Sequence, residues 1–349
     1  MDDLDFSSLE RWLTGKLPGQ RGLQVAPVEG GQSNPTWFVT WGDCRLVLRK
    51  KPAGPILRGA HAVEREFRIL AALRDTQVPV PSVLWLEEDA SILGTPFYMM
   101  ERLEGRVFSD CTLPGVGARD RREMYMDMAR TMARMHALRP GQIGLQDYGR
   151  AGHYFERQIA RWSKQYGDAG GPRIPALDAL VAWMPENMPR DDGAVSIVHG
   201  DFRLGNMMFH PTEPKIIAVL DWELSTLGHP LADLGFCVMP WLSAPEEYGG
   251  ILGTNWQEGG IPTLKEFVTQ YYAHAVPTSP LTTFHMAFAL FKFAAIFVGI
   301  ADRARDGNAA SAEAARLEPL AERFALRARD VIAQNPPDFQ VVTPPENRG

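Results

Sequence analysis

Residues 195–223 read V-S-I-V-H-G-D-F-R-L-G-N-M-M-F-H-P-T-E-P-K-I-I-A-V-L-D-W-E, from Val195 to Glu223. The β-branched run Val195–Val198 predicts a strand. His199-Gly200-Asp201 follows it, and Asn206 comes five residues after Asp201. Met207–Phe209 and Ile216–Leu220 predict two further short strands, joined by a turn that uses His210, Pro211 and Pro214. Asp221 closes the last of them. Such a hairpin would carry Asp201, Asn206 and Asp221 to one end of a sheet. Phosphoryl transfer needs that set: a carboxylate to orient and deprotonate a hydroxyl, and an amide plus a carboxylate to hold magnesium on nucleotide phosphates. An isolated His-Gly-Asp reads most simply as a turn after a strand. The full order, Asp, four residues, Asn, then an apolar strand ending in Asp, favours the chemical reading.

H-G-D-F-R-L-G-N with L-D-W-E resembles the catalytic and metal-binding motifs of the aminoglycoside phosphotransferase and choline kinase-like family. That family is related to the protein kinases, whose catalytic loop reads H-R-D-x-x-x-x-N. G-G-Q-S-N-P-T, L-R-K-K-P, H-A-V-E-R-E-F and Y-F-E-R-Q-I-A-R-W-S-K-Q-Y are most similar to the kinase-like domain attached to some acyl-CoA dehydrogenases. The resemblance covers residues 20–335. It implies an α+β, bilobal protein-kinase-like fold: a small mixed lobe over residues 1–103 that covers a nucleotide, and a larger α-rich lobe over 104–349.

Working outward, Val25–Val28, Thr36–Trp41 and Arg45–Arg49 read as strands, with Glu29-Gly30-Gly31-Gln32-Ser33-Asn34 between the first two. Gly-Gly alone is a hairpin turn. Placed before L-V-L-R it suggests a loop whose amides approach phosphate oxygens, which makes Gly30, Gly31, Gln32, Ser33 and Asn34 candidates for nucleotide binding. The third strand ends in Arg49-Lys50-Lys51. Alternation places Arg49 and Lys51 on one face and Lys50 on the other. Alignment of V-L-R with the kinase V-A-I-K pattern favours Arg49 as the phosphate-holding cation, an arginine where the pattern has lysine, with Lys50 and Lys51 as alternatives. Ala60–Arg74 is helical by pattern, with Val63, Phe67, Leu70 and Leu73 on one stripe, and the resemblance puts the ion-pair glutamate at Glu66. It also implies that the backbone at Glu101 and Leu103, after strands Ser82–Glu87 and Pro96–Met100, faces the adenine edge.

Ser7-Ser8-Leu9-Glu10 has the form of a capping box and starts a helix through Leu17. Met124–Leu138 carries methionines at core spacing, and His136 there reads as a satisfied core histidine. Tyr154–Tyr166 sets Arg157, Arg161 and Lys164 along one face: a solvated face, or a dock for an anionic group. Ser225–Pro230 reads as a turn. Asp233 could be read as a metal ligand; the resemblance implies instead that it ties the catalytic loop to the next helix. Helices near Thr263–Ala275, Leu281–Arg305 and Ser311–Ala333 complete the second lobe, and the prolines after Pro336 mark a tail.

In the resulting scheme Asp201 is the base and Arg203 contacts the transferred phosphoryl group. Asn206 and Asp221 hold Mg2+, ATP is the donor, and a small hydroxylated molecule is the acceptor. His199 is structural, and Glu223 is a lesser metal candidate. The rivals are an aminoglycoside-type enzyme, a nucleotide-binding pseudokinase and a metal-dependent hydrolase. No D-F-G or A-P-E segment follows Asp221, which disfavours a protein kinase.

Composition bounds the rest. The 349 residues are 45% hydrophobic and 22% charged, which suits a globular chain with more than one lobe. A net charge of −6 gives no reason to expect nucleic acid or an anionic membrane as partner. The first 103 residues carry −1 and the remainder −5, mild for a cleft that must hold a polycationic drug. Cys44, Cys111 and Cys237 are scattered, without metal or disulfide spacing, and Met-Asp-Asp-Leu-Asp lacks the regions of a signal peptide, so a cytoplasmic location is expected. The apolar run Phe284–Ile300 holds His285 and Lys292 and reads as a core helix rather than a membrane span.

Overall fold

A computed structural model describes residues 4–28, 34–52, 62–247, 249–276, 279–305 and 311–334. Two compact units divide the chain. Residues 1–106 with 217–224 form the first, and 107–216 with 225–349 form the second.

The first unit opens with helix α1, Phe6–Lys16. Its cap is Asp5, whose carboxylate accepts from Ser8 N (3.0 Å) and Ser8 Oγ (2.7 Å). The expected Ser7–Glu10 box is therefore displaced: Asp5 reaches the first free amides earlier, and Ser7 lies inside the first turn. Strands β1 (Leu23–Pro27), β2 (Thr36–Trp41) and β3 (Cys44–Lys50) follow. After them come helix α2 (Val63–Leu73), β4 (Val83–Glu87), the single turn α3 (Ala90–Leu93) and β5 (Phe97–Glu101). The sheet order is β1-β2-β3-β5-β4, antiparallel throughout. One face of it buries Trp37, Val39, Trp41, Leu46, Leu48, Phe97 and Met99 against Leu9 and Leu13 of α1. Alternation sends the intervening residues, Val47, Arg49 and Tyr98, to the opposite face. Helix α2 buries Val63, Glu66, Ile69, Leu70 and Leu73, whereas Phe67 is half-buried. The expected stripe is thus corrected: a buried glutamate, Glu66, takes a place in its first turn. Residues 217–224 belong to this unit, with Val219 N donating to Pro79 O (2.8 Å) and a short turn at Trp222–Leu224.

The second unit is helical. Between the two-residue strand β6 (Arg106–Val107) and its core lie α4 (Ala118–Ala137), α5 (Tyr154–Asp168) and α6 (Pro175–Glu186). Then come β7 (Ser196–Val198), β8 (Met207–Phe209), the first residue of β9 (Ile216–Val219), whose other residues group with the first unit, and β10 (Thr226–Gly228). Helices α7 (Leu231–Cys237), α8 (Met239–Leu242), α9 (Leu264–Tyr272), α10 (Thr283–Arg305) and α11 (Ser311–Gln334) complete it. Where a turn was expected at Ser225–Pro230, β10 pairs antiparallel with β7, Thr226 opposite Val198. The ladder fits because Gly228 has no Cβ; one would lie 2.5 Å from the Tyr154 ring. Met124, Met128, Met132 and Met135 of α4 are buried, as the core reading of that stripe required. Helix α10 is apolar and long enough to span a bilayer by composition, but 83% of that window is buried inside the fold. Thr263 and Glu266 form a reciprocal capping box at the start of α9. Thr263→Ala should therefore lower the stability of this unit by about 1 kcal/mol, measured as a drop in its urea midpoint.

Candidate active site

Two polar clusters stand out, one in each unit. In the first unit, β3 pairs with β5 so that Arg49 lies opposite Tyr98. Directly opposed residues share a face, and both side chains reach Glu66 of α2. Arg49 Nε lies 2.8 Å from Glu66 Oε2, off the line of its N–H. Tyr98 donates its hydroxyl to the same oxygen at 3.0 Å, and Asn34 Nδ2 donates to Oε1 at 2.5 Å. Arg49 Nη2 also reaches Asp221 Oδ1 at 2.7 Å and Glu223 Oε2 at 4.0 Å.

One cation thus faces three carboxylates. Burial pushes the Glu66 carboxyl up, Arg49 and the Tyr98 hydroxyl draw it back, and Asp221 and Glu223 add to the rise, which leaves it at about 7. Asp221 adopts φ +63, a left-handed conformation that costs a non-glycine residue about 1–3 kcal/mol where it is held by its surroundings. It sits between β9 and the turn at Trp222, whose Nε1 donates to Val219 O at 2.9 Å.

Arg49 therefore faces α2, whereas Lys50 lies on the core side opposite Phe97, and Lys51 N donates to Pro96 O. Glu101 ends β5, where its carboxylate accepts from Ser82 N at 2.7 Å; Leu103, two residues on, is half-buried. Gly30, Gly31, Gln32 and Ser33 lie outside the described residues. Asn34 is buried, and among the described residues its Oδ1 has no hydrogen-bond partner.

In the second unit the chain leaves β7 into His199-Gly200-Asp201. Asp233 of α7, 1% exposed, accepts from His199 N (2.6 Å) and Gly200 N (2.8 Å). His136 of α4 lies 3.4 Å from the same carboxylate through Nε2, and its Nδ1 is 2.9 Å from Tyr271 Oη. Asp233 is held below the usual carboxylate range: burial alone would raise it, but His136 and the loop amides outweigh burial. This is the bracing role expected of Asp233, and His136 is the satisfied core histidine expected. His199 is fully buried and accepts Asp201 N at its Nδ1 (3.2 Å).

Asp201 Oδ2 accepts from Asn206 Nδ2 (2.8 Å) and Arg203 Nε (3.1 Å). Asn206 Nδ2 also donates to Asp201 O (2.9 Å). The amide of Asn206 is so committed through its nitrogen that only its carbonyl oxygen could ligate a metal. Among the described residues no donor reaches Asp201 Oδ1.

Beside this loop is a pocket lined by Arg203, Leu204, Gly205, Tyr125, Met128 and Phe236. The face of α5 behaves differently from the docking alternative. Arg157 bonds the carbonyls of Arg150 and Gly152, Lys164 pairs with Asp168 at 2.6 Å, and Arg161 lies over the Trp162 ring. Local partners take up two of the three cations, as in a solvated face.

Sequence reasoning missed Tyr98 and Lys292. Lys292 Nζ donates to Gly200 O at 3.0 Å. Each had a signal: one phenol in the apolar strand F-Y-M-M and one ammonium in a long apolar run.

A family model described as "Phosphotransferase enzyme family" matches residues 24–267. The chain is 41% identical over 330 residues to acyl-CoA dehydrogenase family member 10 of Mus musculus, covering 93% of this chain and 31% of that protein. It thus spans less than half the length of that relative. A crystal structure of a candidate aminoglycoside phosphotransferase from Ralstonia eutropha is 42% identical, with TM-score 0.83, covering 94% of this chain and 99% of that one. An aminoglycoside phosphotransferase bound to AMP-PNP and hygromycin B shares the fold at 16% identity, with TM-score 0.60, covering 92% and 98% of the two chains. The architecture is the α+β kinase-like one of these structures, and the chain belongs to the phosphotransferase enzyme family.

Proposed function

We propose that this phosphotransferase transfers the γ-phosphoryl group of ATP to a hydroxyl of a small acyl compound, such as a hydroxyacyl-CoA, with Mg2+. The observation that carries the acceptor chemistry is Asp201. Its Oδ2 is fixed by Asn206 and Arg203, which leaves Oδ1 to accept the proton of an incoming hydroxyl. Arg203, already beside the carboxylate, is placed to meet negative charge on the transferred group.

The cluster around Arg49 suits a cation, because three carboxylates face one guanidinium. Asp221, with Glu223 near it, would hold magnesium. Asn206 enters as the second donor on the motif's spacing. One or two protein donors are the usual number where phosphates supply the rest. Magnesium held there would supply positive charge against the negative charge that develops on the phosphates. Glu66 keeps Arg49 aimed, and Arg49 would hold nucleotide phosphate.

Three observations support an acyl acceptor over a polycationic drug. The pocket beside Arg203 is walled by Tyr125, Met128 and Phe236 rather than by acids. Residues 104–349 carry only −5. The mouse relative is an acyl-CoA dehydrogenase family member. Purified protein with labelled MgATP and two acceptor panels tests the reading. Turnover of hydroxyacyl compounds with none of aminoglycosides is the expected result. Efficient aminoglycoside phosphorylation without hydroxyacyl turnover would overturn it.

A further inference from the structure

Helix α10 carries one ammonium among Phe288, Phe291, Phe293 and Ala294, and that group, Lys292, donates from Nζ to Gly200 O at 3.0 Å. Gly200 has φ +86, a conformation that only glycine holds without penalty. Its N–H donates to Asp233 Oδ1 at 2.8 Å, while the preceding His199 N–H donates to Oδ2 at 2.6 Å. Gly200 is therefore gripped from both ends, by an anion at its amide and by a cation at its carbonyl.

That carbonyl belongs to the peptide unit shared with Asp201. Fixing it fixes the opposite end of the same unit, the Asp201 N–H, which donates to His199 Nδ1 at 3.2 Å. A glycine with positive φ otherwise lets this peptide plane rotate at little cost. Rotation would swing the Asp201 carboxylate away from Asn206 and Arg203. Among the described residues Lys292 is the donor to the Gly200 carbonyl. Burial depresses the ammonium, and Asp201 and Asp233 pull it back up, so the cation is held by the loop it supports.

We propose that Lys292 is a positioning residue for phosphoryl transfer: its ammonium locks the Gly200–Asp201 peptide plane and through it aims the Asp201 carboxylate. The proposal rests on the reading of Asp201 as the group that meets the acceptor. It also explains why a charge persists inside an apolar helix. Lys292 is half-buried, and an apolar residue of similar volume could take its place on the helix, so packing alone gives no reason for lysine here.

The test compares Lys292→Met and Lys292→Arg in the full chain. The measurements are single-turnover transfer from MgATP to the hydroxyacyl acceptor or, failing one, to water; nucleotide affinity; and amide exchange at Gly200 and Asp201. Lys292→Met should lower the transfer rate about 30-fold or more while the nucleotide Kd moves less than about twofold. Asp201 amide exchange should quicken about tenfold. Lys292→Arg, which keeps a cation next to a small adjoining cavity lined by Tyr154, Phe236 and Phe288, should recover most of the rate. A Met variant with wild-type transfer and unchanged exchange would overturn the proposal. So would an Arg variant no better than Met. If wild-type protein transfers to neither acceptor, the reading of Asp201 fails by itself. Exchange at Asp201 then decides for Lys292, and unchanged protection in the Met variant rejects it.

Discussion

Asp201→Asn should reduce phosphoryl transfer by at least about 1000-fold and leave the nucleotide Kd within about threefold. The asparagine is isosteric and keeps the backbone links of the loop: Asp201 N to His199 Nδ1, and Asp201 O to Asn206 Nδ2. It removes the charge that holds Arg203 at 3.1 Å and the oxygen that would accept the acceptor's proton. Those losses act along the reaction path, so kcat falls and ground-state nucleotide binding does not. Rapid-mix quench with saturating MgATP measures the first quantity and nucleotide titration the second. Retention of more than a tenth of the rate would remove Asp201 from the role of base. Equal loss of binding and rate would instead point to a collapsed loop, which Asp233→Asn should mimic, since that variant leaves one acceptor oxygen for the His199 and Gly200 amides, which now use two.

The parts of this site that were legible in the sequence are those set by local spacing. β2 and β8 have the bounds expected, because alternating or short apolar runs between turn residues leave few options. The Asp201–Asn206 link follows from a five-residue spacing, which one 3-10 turn at Leu204–Asn206 closes. What was not legible depends on distant partners. β10 looked like a turn because the strand it pairs with lies thirty residues earlier in the chain. In α2, Glu66 occupies a buried position that pattern counting reserves for apolar residues; Asn34, Arg49 and Tyr98, from outside the helix, make the site polar. The segment 217–224 groups with the first unit, more than a hundred residues away in sequence. Chain order places it after the catalytic loop, and no periodicity reports the hydrogen bond from Val219 to Pro79. Lys292 was visible as a lone charge in an apolar run, but its acceptor, a glycine carbonyl 92 residues earlier, leaves no trace in side-chain pattern.

Asp221→Asn should abolish the magnesium dependence of nucleotide binding, and it should do so without destabilising the first unit. The usual expectation for losing a partner of a buried arginine is the reverse, a cost of several kcal/mol. Here the balance of charge decides. Arg49 retains Glu66 at 2.8 Å and Glu223 at 4.0 Å, so the substitution leaves two carboxylates for one cation rather than stranding the cation. Burial raises the Glu66 carboxyl, and Asp221 and Glu223 raise it further against the pull of Arg49, as an excess of negative charge would. Asparagine also tolerates φ +63 better than most residues, so the backbone strain at this position does not rise. Without magnesium, the thermal midpoint of the variant should equal or exceed that of the wild type. With magnesium and ATP, the wild type should gain stability by mass action and the variant should not. A variant that melts several degrees lower in metal-free buffer would show that the 2.7 Å pair with Arg49 outweighs the repulsion among carboxylates. A magnesium-dependent gain that survives the substitution would show that other groups hold the ion. The two outcomes are independent, because the first concerns the charge balance around Arg49 and the second concerns the ligand itself.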